Sequence, residues 1–115
     1  MPDHPSAERR YADLVATFDG EPDVSPPGAG IGHTRGFGAN ALKVDGRIFA
    51  MLAHDRLVVK LPRARVNELV ERGTGERFDP GHGRIMTEWL SVHEGREDEW
   101  TALAREALTV GRARK

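Results

Sequence analysis

Five histidines, His4, His33, His54, His82 and His93, are the side chains here best suited to holding a metal or moving a proton. A metal reading needs ligands at recurring spacings such as H-x3-H or HExxH, and no two of the five stand at either. Each falls in a stretch read as a loop or a strand end, where a solvated histidine is the expectation. A general base would need a carboxylate partner in a pocket, which spacing alone does not supply. Ser6, Ser25 and Ser91 lack the G-x-S-x-G setting of an activated serine, and no glycine-rich loop ends in Gly-Lys-Ser/Thr. Gly36-Phe37-Gly38-Ala39-Asn40-Ala41 matches G-x-G-x-x-A. That pattern binds a dinucleotide when a strand precedes it and a helix follows. Here a Gly/Pro stretch precedes and a strand follows, so a flexible turn into a sheet is expected. The sequence therefore predicts no metal, no cofactor and no catalytic constellation.

Composition narrows the classes further. The chain has 115 residues, enough for one modest core. Its net charge of −1 excludes a strongly basic nucleic-acid module on balance alone. There is no cysteine, hence no disulfide, no thiolate metal site and no cysteine nucleophile. The longest apolar run, Ile48 to Ala53, is far short of the roughly 20 residues of a membrane span. Met1 to Arg10 is polar with two prolines and lacks a signal peptide's apolar stretch. These features predict a cytoplasmic domain with no membrane partner. Charge is uneven along the chain: residues 35–65 carry Arg35, Lys43, Arg47, Arg56, Lys60, Arg63 and Arg65 against only Asp45 and Asp55. Solvated strand edges and helix surface account for most such runs, and an anion-facing surface is the alternative.

The elements that must position these side chains follow from periodicity. Tyr11, Leu14, Val15 and Phe18 make one apolar helical stripe, predicting a first helix over 7–19 with Ser6 as N-cap and Gly20 as stop. Residues 21–38, rich in glycine and proline, predict a long surface loop. Ala39–Val44 and Arg47–Leu52 flank Asp45-Gly46, a hairpin signal because a type I′ turn needs positive φ at both central residues. A two-residue loop would set Val44 opposite Arg47 and Leu42 opposite Phe49. Arg56–Leu61 is the third strand, after a turn at Ala53-His54-Asp55. Pro62 opens a helix that Gly73 closes, with Val66, Leu69 and Val70 as its stripe. A short strand at Arg77-Phe78 precedes a longer one over Ile85–Val92. Arg96 to Gly111 is the last helix, with Trp100, Leu103, Ala104, Ala107 and Leu108 as its buried stripe. The order α-β-β-β-α-β-β-α predicts an α+β fold: a two-layer sandwich, one antiparallel sheet with helices on one face. We read residues 1–115 as one domain, with 39–112 as the sheet and remaining helices.

One ordered set of pieces is more distinctive. It runs Phe37-Gly38, then Leu42 to Ala50 around the hairpin, then Leu57-Val58-Val59-Lys60-Leu61-Pro62, then Gly81-His82-Gly83-Arg84-Ile85-Met86-Thr87-Glu88-Trp89. An FG entry, a hairpin ending in F-A, a K-L-P strand-to-helix corner and a G-G-R-x-M-x-x-W strand resemble the TfoX N-terminal domain and its relatives in the MmcQ/YjbR-like group. The resemblance covers about residues 36 to 112. His82 between the two glycines and Ile85 where a proline is common are departures from it. It implies a helix-flanked antiparallel sheet and a non-catalytic binding or regulatory role, with protein or nucleic acid as partner.

Facing along the strands then suggests a surface. The hairpin register turns Leu42, Val44, Phe49 and Met51 toward the helices, together with Met86, Leu90 and Val92. Lys43, Ile48, Leu52, Val58, Lys60 and Trp89 fall on the opposite, open face. A mixed apolar and basic face with a Trp predicts a partner-binding surface, most simply for a second copy of the chain as a homodimer. The alternative is a small-ligand-binding protein or enzyme using a polar pocket around His82, Arg84 and Glu88, with His54 as a further candidate.

Overall fold

The computed structural model describes residues 7–25, 41–79 and 85–113. His4, His33, His82, Arg84, Ser6, the Gly36–Asn40 part of the dinucleotide-like motif and the 26–38 part of the loop lie outside them. The described elements run α1 (Ala7–Phe18), β1 (Val24–Ser25), β2 (Leu42–Val44), β3 (Arg47–Ala53), β4 (Arg56–Lys60), α2 (Arg63–Glu71), β5 (Gly75–Phe78), β6 (Met86–Val92), a 3-10 turn Glu97–Glu99 and α3 (Trp100–Ala113). The order is the expected one, with the two-residue β1 added at a sheet edge. All pairings are antiparallel and the sheet order is β1-β2-β3-β4-β6-β5. The fold is α+β, as the patterning predicts.

Each helix lays its stripe on one face of the sheet. Tyr11, Leu14 and Phe18 of α1, Val66 and Leu69 of α2, and Trp100, Leu103, Ala104, Ala107 and Leu108 of α3 form one cluster with Leu42, Val44, Phe49, Leu57, Val59, Leu61, Leu90 and Val92. The Phe18 and Phe49 rings meet edge to face at 6.0 Å, a geometry that suits their quadrupoles. Pro62 opens α2 at φ −57, and Gly73, at φ +79, lets the chain turn back so that its N–H and that of Thr74 cap the carbonyls of Val70 and Leu69. At the far end, Arg112 of α3 donates to both carboxylate oxygens of Asp23, at 2.8 and 2.7 Å, and to Glu21 at 2.8 Å. This two-pronged contact ties the last helix to the segment leading into β1.

The first hairpin turns at Asp45-Gly46 with φ of 53 and 79, as its sequence demands. Val44 pairs with Arg47, as expected, but Leu42 pairs with Ala50 and not with Phe49. Phe49 is an extra residue on β3, a β-bulge, so Phe49 and Ala50 both join the helix-side core. One added residue reverses the parity of everything beyond it. Met51, expected in the helix-side core, therefore lies on the other face, and Leu52, expected on the open face, packs against the helix-side core. A second irregularity lies between β5 and β6, where Arg77 pairs with Leu90 but Phe78 with Met86. It sends Met86 to the face opposite the one predicted.

Candidate functional site: the second face of the sheet

The face away from the helices carries a core of its own. Ala41, Met51, Val58, Phe78 and Trp89 form a buried cluster, with Ile48, Ala53 and Met86 packed against it. Five of the six residues expected there do share this face: Lys43 and Ile48 are paired, as are Lys60 and Trp89, and Val58 lies alongside. Leu52 does not, for the parity reason given above. Burial also corrects the expectation of an open apolar patch. Val58 is 0% and Trp89 8% exposed, so neither offers surface to a partner. Ile85, at 57%, is the exposed large apolar side chain among the described residues.

Lys60 is engaged within the chain. Its ammonium lies 5.1 Å from the Trp89 ring centroid and 3.4 Å from Glu88. Glu88 thus holds the Lys60 ammonium, while the pocket expected of it with His82 and Arg84 lies outside the described residues.

Toward the β5 edge the same face becomes polar. Register places Met51, Val58, Ser91 and Glu76 in one row across β3, β4, β6 and β5. Directly paired residues on adjacent strands stand roughly 5 Å apart on one face. Ser91 is 6% exposed, because Leu90 and Val92 on either side point to the helices and hold it in the sheet. Gly75 also sits close: a Cβ there would collide with the Ser91 carbonyl, so only glycine lets β5 approach β6 at this point. Arg56 of β4 donates to Glu76 of β5 at 2.8 Å, and Glu94 lies 3.9 Å from the same guanidinium. That ion pair spans β6, the strand that carries Ser91.

These residues line a cleft of about 520 Å³ together with His54, Arg77, Phe78, Asp79 and Ile85. His54 enters it from an unusual backbone. The β3–β4 hairpin turns at His54-Asp55 with φ of 53 and 62, left-handed values at two non-glycine residues. A glycine-containing turn would adopt them at lower cost. The turn brings the His54 ring within 6.0 Å of the Phe78 ring at the cleft wall. His93, by contrast, contacts the Gly73 carbonyl at 3.3 Å and belongs to the α2 end.

No family model, no curated protein and no solved structure matches this chain. Its function is therefore argued from the cleft.

Sequence reasoning missed Arg56, Glu76, Ser91 and Glu94 as a group. A serine between Leu90 and Val92 reads as a solvent-facing strand residue, and nothing in the linear pattern brings β5 beside it. The signal that was present is the His54-Asp55 pair, a two-residue connection between apolar runs without the glycine such turns favour. Among the described residues no group of three His, Asp or Glu side chains is arranged to hold a metal ion, and no helix is long and apolar enough to cross a membrane.

Proposed function

We propose that the chain is a cytoplasmic, non-catalytic binding module of the TfoX N-terminal-like type, whose ligand enters the polar cleft between the β3–β4 turn and β5. The observation that carries this reading is Ser91. Its side chain is nearly buried at the cleft yet makes no hydrogen bond to another described residue. A hydroxyl at a cleft with no partner among the described residues is available to a ligand. The left-handed His54-Asp55 turn supports the same place, since strained backbone gathers at binding sites. The cleft's volume suits a small molecule. Ser91 and His54 share the cleft without a hydrogen bond between them, which favours recognition over nucleophilic chemistry.

The test is amide chemical-shift mapping of the labelled protein against the low-molecular-weight fraction of a cell extract. Shifts confined to residues 54–56, 75–79 and 90–94 are expected. Shifts centred on Lys43, Ile48 and Lys60, or none at all, would overturn the reading. So would turnover of a fraction component that a Ser91→Ala variant abolishes.

A further inference from the structure

At the sheet edge opposite the cleft, we infer that residues 21–25 are a strap, latched by Arg112, that opens as one unit and bares the edge of β2. β1 is two residues long and pairs with β2 at Val24–Val44 and Ser25–Lys43. None of residues 21–25 is fully buried, and Val24 is the one of them packed against the helix-side core. Little apolar burial holds this segment, and segments of that kind occupy the low-stability end of a fold.

Charge does the holding. The Arg112 guanidinium grips both oxygens of Asp23 and one of Glu21, and Arg105 stands 3.9 Å from the other Glu21 oxygen. Both arginines stand on α3, whose Ala104, Ala107 and Leu108 are buried in the core. The helix is therefore a fixed post and the strap the part that moves. Gly111 brings the post to the edge: a Cβ there would meet Val44 Cγ1 of β2 at 2.6 Å, so only glycine lets α3 lie this close, one residue before Arg112. The Asp23 carbonyl in turn accepts the Asp45 N–H at 3.3 Å, so the latch reaches the β2–β3 turn. Side-chain exposures of 37% at Arg112, 28% at Glu21 and 23% at Asp23 let salt screen these pairs, and the latch loosens as salt rises. An open strap leaves the outer backbone groups of Leu42–Val44 unpaired, and an unpaired edge is a template for another strand. The latch thus guards that edge, independently of what the cleft binds.

Native-state amide exchange on the intact chain tests this. Raising sodium chloride from about 0.1 to about 1 M shortens the Debye length from about 10 to about 3 Å. It should speed exchange at the Asp45 amide about fivefold, the scale of a partly solvated ion pair, and leave Val59 of β4 unchanged. Arg112→Gln at low salt should do the same. Arg112→Lys should fall in between, because a lysine keeps the charge and loses the two-pronged grip. The chain has no cysteine, so Val24→Cys gives a second readout: thiol labelling there should quicken in parallel. The salt arm needs no variant and decides the question even where Arg112→Gln fails to fold. Asp45 exchange that salt, or a folded Arg112→Gln, leaves unchanged would overturn the inference. So would acceleration of Val59 by the same factor, because the whole fold and not the strap would then be loosening.

Discussion

The ammonium of Lys60 sits over the indole of Trp89, 5.1 Å from the ring centroid, with a Glu88 carboxylate oxygen 3.4 Å away. These two residues carry the mark of an interface in the sequence, a basic side chain beside a Trp, and the fold pairs them with each other. Trp89 is a core residue of the second face. Trp89→Ala should therefore cost about 3–5 kcal/mol of stability, read from urea unfolding. A loss below about 1 kcal/mol would show that the indole is not packed as described. Lys60→Met should cost far less, because the Lys60 head is partly solvated and exposed pairs contribute little.

The bulge makes a second prediction. Phe49 is 1% exposed and packs on Phe18 although it is the unpaired residue of β3. Phe49→Ala should cost about 3–5 kcal/mol. Deleting Phe49 outright removes the ring and the bulge together but leaves Ile48, Ala50, Met51 and Leu52 alternating on their present faces, so the fold should survive at a cost close to that of Phe49→Ala. The two variants are compared by circular dichroism and denaturant midpoint; loss of the fold on deletion alone would refute the assignment of Phe49 as the bulged residue.

The His54-Asp55 turn predicts an opposition between stability and binding. His54→Asn with Asp55→Gly installs residues that accept positive φ with less strain, and should raise stability by about 0.5–1 kcal/mol. The same change removes the imidazole from the Phe78 wall. Thermal unfolding and amide-shift mapping against the extract fraction on one sample check both halves. A variant that is less stable than the parent would show that the His54 contacts outweigh the backbone strain.

Tyr11 predicts a loss of stability at high pH. Burial pushes its phenol well above the ordinary value of 10.0, with a backbone hydrogen bond at Leu42 opposing the shift, and its hydroxyl points to the Ala50 carbonyl at 3.5 Å. A raised value in the folded state means that its contribution is whole below pH 10 and is lost as pH rises beyond it, because the unfolded chain ionises first. The slope should approach about 1.4 kcal/mol per pH unit. Tyr11→Phe should flatten that slope between pH 10 and 11.5 in denaturant titrations; an identical slope would exclude Tyr11 as its source.

What could be read from the chain alone is what local physics decides. Helix stripes at Tyr11–Phe18 and Trp100–Leu108, the Pro62 start and Gly73 stop of α2, and the Asp45-Gly46 turn each depend on residues close in sequence, and each stands in the fold. The alternation in β4 also held, with Leu57 and Val59 on one side and Val58 and Lys60 on the other. Facing in β3 and β6 was a different matter. A strand's parity survives only while its pairing is regular, and a bulge arises from how two strands meet, which neither sequence announces. The cleft required still more. Arg56, Glu76 and Ser91 come from three strands, and only the order β4-β6-β5 puts them side by side. Their types were visible in the chain, but the partner of each was set by sheet pairing between distant segments. That is why the site is a property of the tertiary structure.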